Sequence, residues 1–388
     1  MASYILSDAN RFYVATESSY GIPAPALAPN RFAAFNLDCH QNLGVSKRRD
    51  KTGARTYPGI SSSTTRHSNF EVTAHLTSWD QMSEPSFGPL VQAAMGGAPE
   101  LTEGLLVAAL NGAEIQTQTP HGLTVGSALS TGGEIRFVSV VRDPMTFSVN
   151  APFSVGPSVG MTFATAIGYR LGTQLPSVSL YDYWDPAGGV SRLVVGAGVD
   201  KFQIDTKGEL HELTFSGPAA DVIDSSSGVY GVSGLTTFPT EPALAEFDYS
   251  IVDGQLGQVW LGAPLNQVFA LTEASIEINN NLLLRNQEFG SSYPMALVPG
   301  PREIVCSFTL FAQPDSTTRQ LFAWAKSRAS ISALLQLGQQ KGQTMAVYLP
   351  NVVPELPSFD DSEPFLLWEF KNNLGQGVSN DEAYIAFS

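Results

Sequence analysis

Lys47, Arg48, Arg49, Lys51 and Arg55 crowd into one short stretch, "SKRRDKTGARTYPG". Clustered ammonium and guanidinium groups suit phosphate, whether on nucleic acid, a nucleotide or a lipid surface. The remainder of the 388 residues opposes that chemistry. The formal net charge is −15 and the pI is about 4.7, which argues against a general DNA-binding protein. A solvated loop is the ordinary reading of a charge run. Here the loop joins two strong strand patterns. The far end of the chain is acidic, with Glu355, Asp360, Asp361, Glu363, Asp381 and Glu382. A chain basic in one place and acidic in another can stack head to tail on copies of itself.

Other reactive residue types form no constellation. His40, His67, His75, His121 and His211 never fall at ligand spacing, and Cys39 and Cys306 complete no metal set. "GVSG" at 231–234 falls short of a nucleophile elbow. "VGAGVD" at 195–200 has Lys201 where a dinucleotide fingerprint needs its third glycine, and strand alternation follows instead of a helix. "FDDSEP" at 359–364 reads as an exposed acidic turn, because no calcium-loop spacing follows it. No catalytic, cofactor-binding or metal site is expected, and no enzyme. The two cysteines, far apart in apparent strands, predict free buried thiols rather than a disulfide framework. No apolar run reaches the roughly 20 residues of a membrane span. The N-terminal residues lack the pattern of an export signal.

Period-2 alternation dominates the elements that must carry these residues. "FNLDCH" sets Phe35, Leu37 and Cys39 against Asn36, Asp38 and His40, and "NFEVTAHL" sets Phe70, Val72, Ala74 and Leu76 on one face. "EIRFVSVVRDPMTFSVN" and "VDKFQIDTKGELHELTFSG" read as hairpins turning at 142–144 and 206–208. "EIVCSFTLF" is apolar on both faces. Only two helices are expected. One is "EPSFGPLVQAAMGG", ending at Gly96-Gly97. The other is "DSTTRQLFAWAKSRAS", capped by Asp315 or Ser316, with Leu321, Phe322, Trp324 and Ala325 as its apolar stripe. The order strand, loop, Pro-Gly, strand, helix occurs twice, at 36–95 and 275–326. Asn42-Leu43 matches Asn281-Leu282, and Pro58-Gly59 matches Pro299-Gly300. This predicts a mainly β chain built by tandem duplication of a β-sandwich with a flanking helix. The first sandwich is expected over 1–97 and 171–235 and the second over 236–388. A small outward-facing β module with self-contained strands, dispensable for polymerisation, is expected as an insertion over 98–170.

Several segments resemble one known family. They are "KTGARTYPG", "NFEVTAHLTSW" and "EPSFGPLVQAAMGG" in the first half, and "EASIEINNNLLLRNQEFGSSYPMALVPGPREIVCSFTLF" and "GQTMAVYLPNV" in the second. This arrangement, over most of the chain outside 98–170, resembles the tail tube (major tail) proteins of long, non-contractile-tailed bacteriophages and prophages. The resemblance implies a structural virion protein whose sandwiches join around rings. The rings would stack into a hollow tube that the genome passes through on ejection. With two sandwiches per chain, homotrimeric rings of pseudo-sixfold symmetry follow. By its position the stretch Lys47, Arg48, Arg49, Lys51 and Arg55 looks like the family's long loop between subunits and stacked rings. The implied partners are further copies of the chain, a tape measure protein and tail tip or terminator proteins. Double-stranded DNA would pass without specific binding, repelled by a negative lumen. The implied location is the virion tail, assembled in the bacterial cytoplasm, with no membrane contact. A distal tail or terminator ring protein is the second reading, and a β-rich module binding the host surface is the third.

Overall fold

The computed structural model describes residues 5–6, 8–45, 47–48, 50–55, 59, 65–79, 84–184, 190–206, 208–231, 233–244, 250–362 and 364–388. It is mainly β with two helices. The first half opens with β1 (Asn10–Thr16), β2 (Arg31–Phe32), β3 (Asn36–Leu43), β4 (Arg66–His75) and α1 (Gly88–Met95). The strands β5 (Glu100–Thr102), β6 (Val107–Asn111), β7 (Glu114–Thr117), β8 (Ala128–Thr131), β9 (Glu134–Asp143), β10 (Thr146–Val149) and β11 (Ala166–Arg170) then interrupt it. It resumes with β12 (Val178–Trp184), β13 (Arg192–Ala197), β14 (Lys201–Thr206), β15 (His211–Ala219) and β16 (Asp221–Asp224). The second half runs through β17 (Gly257–Gly262), β18 (Asn266–Val268), β19 (Leu271–Asn279), β20 (Leu283–Arg285), β21 (Ala296–Val298), β22 (Glu303–Phe311) and α2 (Ser316–Ser327). It ends with β23 (Ile331–Leu337), β24 (Met345–Val353), β25 (Ser358–Asp360), β26 (Leu367–Gly375) and β27 (Tyr384–Phe387).

Each half is a two-layer sandwich, and the layers match strand for strand. One layer is β3-β4-β15-β14 in the first half and β19-β22-β26-β25 in the second. The other is β16-β13-β12-β1-β2 in the first and β27-β24-β23-β17-β18 in the second. The chain order of the matched elements is also the same, with α1 and α2 in equivalent places. Alternation explains the first layer. Leu37, Phe70, Val72, Phe202, Ile204, Leu213, Phe215, Ile276, Ile278, Ile304, Cys306 and Phe308 are all buried in one core that spans both halves. Their alternating neighbours, mostly polar with Val305 as an exception, stay at least partly exposed, the pattern of a sheet with one wet face. The two first layers are one sheet, because β14 and β19 pair antiparallel from Lys201↔Asn279 to Thr206↔Ala274.

The helices end as their sequences dictate. Gly96 closes α1 in the left-handed region at φ 88, where glycine carries no Cβ penalty. Asp315 caps α2 by accepting a 2.6 Å hydrogen bond from the Thr318 N–H.

The interrupting block is not self-contained. Strands β6-β7-β10-β9-β8 form their own sheet around Val107, Ile115, Leu129, Val138 and Phe147. Its first and last strands leave it: β5 pairs with β11, and β11 pairs with β27 of the second half. The five-stranded sheet then packs on the second half's second layer, where Ile135, Phe137 and Ala151 meet Trp260, Leu334, Tyr348 and Tyr384. That layer is apolar on both faces and needs a cover, which the block supplies. In the first half the corresponding cover is Tyr230, Leu235 and Phe238, against Tyr13, Tyr181 and Tyr183. Among the described residues, no helix is long and apolar enough to cross a membrane.

Candidate functional site

The register places one set of side chains on the wet face of the long sheet. One row across the strands is Asp38, Glu71, Ser216, Lys201, Asn279 and Glu303, each directly opposite the next. Two rows further along the same face lie His75, Glu212, Asp205, Ser275 and Ser307. Glu273, Glu277 and Glu369 share the face by the same pairing. Lys201 lies 2.7 Å from Glu277 and Lys371 lies 2.8 Å from Glu369. The hydrogen bond from Lys371 holds the Glu369 carboxyl below its usual range. The face is therefore net acidic.

Two pairings on this face work against folding. Asp38 stands opposite Glu71, and Glu212 stands opposite Asp205. Like charges directly opposite across strands are destabilising. His40 and Gln203 relieve them only in part, at 3.3 Å from Asp38 and 2.7 Å from Asp205. A fold that tolerates such pairs keeps them for a reason other than stability.

The basic stretch emerges from the end of β3. Lys47, Arg48, Lys51 and Arg55 are all exposed, and Arg49 lies outside the described residues. The Arg48 N–H donates to the Gly59 carbonyl at 3.1 Å, and its guanidinium reaches Asp50 at 2.5 Å.

The equivalent loop of the second half, between β19 and β22, lacks the basic cluster and pairs Arg285 with Glu288 instead. It folds over the first half. The Leu282 N–H donates to Asp200 Oδ1 at 2.6 Å, and the Asn280 amide donates to the Ala94 and Val199 carbonyls at 3.0 Å each. The Arg66 N–H donates to the Ser292 carbonyl at 2.7 Å, and its guanidinium lies over the Tyr293 ring. A loop in this position clamps the sandwich next door.

Among the described residues no group of His, Cys, Asp and Glu could hold a metal ion. His211 is buried beside Thr206, 3.1 Å away, and burial pulls its imidazole pKa down. Cys39 and Cys306 are free, and burial pushes the Cys306 thiol up to about 12, which leaves it unreactive.

The sequence model of the family described as phage tail tube protein matches residues 7–364. The chain belongs to that family. No curated protein matches it. It is thus a structural protein of the virion tail that self-assembles into a tube, and not an enzyme.

Proposed function

We propose that three copies of the chain close a ring of six similar sandwiches. Such rings stack into the hollow tail tube, and the genome passes along the acidic face during ejection. The observation that carries this reading is the single sheet running through both halves with one wet, net acidic face. A tube wall built from that sheet turns the face inward, where it repels phosphate, so DNA slides rather than sticks. The block at 98–170 lies beyond the second layer, on the side away from the acidic face, which supports an outward position. Strand-for-strand matching of the halves supports the duplication and the division into two sandwiches, and with it the trimer. A tape measure protein and terminator or tip proteins complete the partners, with assembly in the host cytoplasm. Negative-stain microscopy of the purified chain tests the reading: long hollow tubes are expected, whereas single closed rings indicate a terminator, and monomers overturn it.

Lys47, Arg48, Arg49, Lys51 and Arg55 act between subunits in this reading, chiefly between stacked rings. Exposed ion pairs contribute only about 0–1 kcal/mol each, so a single change should do little, while several repeated around each ring add up. Arg48→Glu with Arg49→Glu is expected to shorten tubes while circular dichroism shows each chain folded. Tubes of normal length would remove the loop from stacking. A simultaneous loss of DNA affinity with a reduced salt slope would make it a nucleic-acid site.

A further inference from the structure

We propose that neighbouring chains of a ring join by β25 of one copy lying antiparallel beside β3 of the next. The register is that of β14 beside β19 within the chain, which places Phe359 opposite Phe35. The proposal rests on the ring reading and adds to it the edge strands and their alignment.

The strand matching identifies the edges. In the long sheet β25 holds the second-half place that β14 holds in the first, and β3 holds the first-half place that β19 holds in the second. The junction β14–β19 is inside the chain. Its counterpart, β25–β3, needs a second copy.

Hydrogen-bond partners fix the alignment. Thr206 stands opposite His211, whose carbonyl accepts from the Leu76 N–H at 3.0 Å. Phe359 stands opposite Trp368, which stands opposite Leu310. Leu76 lies three residues past Thr73 and Leu310 three past Ser307, the partners of Asn36 and Ser275, which stand six residues before the matching Asn42 and Asn281, so Phe359 corresponds to Thr206. Ala274 stands opposite Phe308, two residues before Leu310. Asn36 corresponds to Ser275 by the same count, and Phe35 precedes Asn36 as Ala274 precedes Ser275. Phe35 therefore corresponds to Ala274. Within the chain Ala274 and Thr206 are paired.

The residues at these positions differ as a missing neighbour requires. Ala274 and Thr206 are 7% and 8% exposed, while Phe35 and Phe359 are 57% and 58% exposed. Two large apolar side chains thus stand on the two outer edges at one register position. Buried aromatic anchors of this kind dominate the energetics of interfaces. Leu43, two residues past Gln41 as Leu282 is two past Asn280, is also 53% exposed. Leu282 instead lies beside Gly198, where an added Cβ would stand 3.0 Å from Leu282 Cδ1.

Charge agrees with the alignment. Within the chain, Thr206 and Gly208 at the β14–β15 turn line a hollow with Val268, Phe269 and Leu271, at the start of β19. The counterpart hollow at the start of β3 measures about 260 Å³. Arg11 and Arg31 line it, together with Asp8, and Arg11 also holds Glu241 at 2.5 Å. The turn that would enter it from the next copy begins with Asp360 and Asp361. The strand β25 is short and follows Pro354 and Pro357, and shortness and flanking prolines keep an exposed edge from pairing indiscriminately. It leaves the aromatic pair and the acidic turn to select the partner.

Asn36→Cys with Ser358→Cys in the full chain tests the alignment, because this pair corresponds to Ser275 opposite Asp205 and directly opposed residues lie within reach of a disulfide. Mild oxidation of assembled tubes should give a non-reducing ladder of covalent dimer and closed trimer. Neither single variant nor the parent, with Cys39 and Cys306, should do so. The slipped pair Asp38→Cys with Ser358→Cys should cross-link several-fold less. Normal tubes with no cross-link at Asn36–Ser358, or with the slipped pair linking better, overturn the alignment and leave the ring reading standing. Absence of rings and tubes from the parent chain overturns both.

Discussion

Arg136→Ala is expected to destabilise the chain by about 3–5 kcal/mol, the cost of breaking a buried ion pair from one side. Arg136 is fully buried in β9, at the contact between the 98–170 block and the second half. Its guanidinium donates to Glu134 at 3.2 Å, Gln258 at 2.9 Å and the Pro152 and Ile135 carbonyls. It lies over the rings of Trp260 and Phe153. Burial pulls its pKa down to about 10, which still leaves it charged at neutral pH. Burial pushes the Glu134 carboxyl up, but hydrogen bonds from Ser154 and Gln258 and the Arg136 charge outweigh it, so its pKa is lowered. A lowered carboxyl pKa gives stability that is present above the unfolded value near 4.5 and lost as pH falls through the folded value. Acid should therefore loosen the block, and Glu134→Gln should flatten that dependence. Urea unfolding followed by tryptophan fluorescence reads the loss, since Trp260 lies beneath the guanidinium. A change under about 1 kcal/mol, the scale of an exposed pair, would show that Arg136 does not clamp the block.

Glu71→Lys, Glu212→Lys and Glu303→Lys together are expected to turn a tube that ignores DNA into one that retains it. The three side chains lie on the wet face, outside the core. Two of the changes replace a repulsive cross-strand pair with an attractive one, Glu71 opposite Asp38 and Glu212 opposite Asp205, so folding should be unharmed or slightly improved. Tubes assembled with short duplex DNA should then retain it. Retention should fall steeply with salt, at a log–log slope near −0.9 per neutralised phosphate. Variant tubes that hold no more DNA than the parent would show that this face does not meet the genome.

Much of this architecture is legible in the sequence, and its gaps have physical causes. The strands β3, β4 and β14 show clean alternation because one face is buried and the other wet. Gly96 and Asp315 mark helix ends by local chemistry. In contrast, β12 and β13 lie between two cores, with Leu180 and Val194 in one and Tyr181 and Leu193 in the other. Their near-continuous apolar runs carry no period to read. The pairing of β11 with β27 joins residues far apart in sequence, and no local pattern records it. Arg136 looks like an outward residue in "EIRFVSVV", and only Gln258 and Gln336, distant in the chain, make it an inward one. The acidic face was half legible. Each strand showed its polar set, but only the register showed that the sets share one surface and that Asp38 meets Glu71.

The central claim is that the long sheet forms the tube wall with its acidic face toward the axis. Cryo-electron microscopy with helical reconstruction of assembled tubes tests it most directly. Threefold rings of six similar sandwiches are expected, with Asp38, Glu71, Glu212 and Glu303 facing an open axial channel and the 98–170 block outermost. A tube with that face turned outward, or with the block lining the channel, would contradict it.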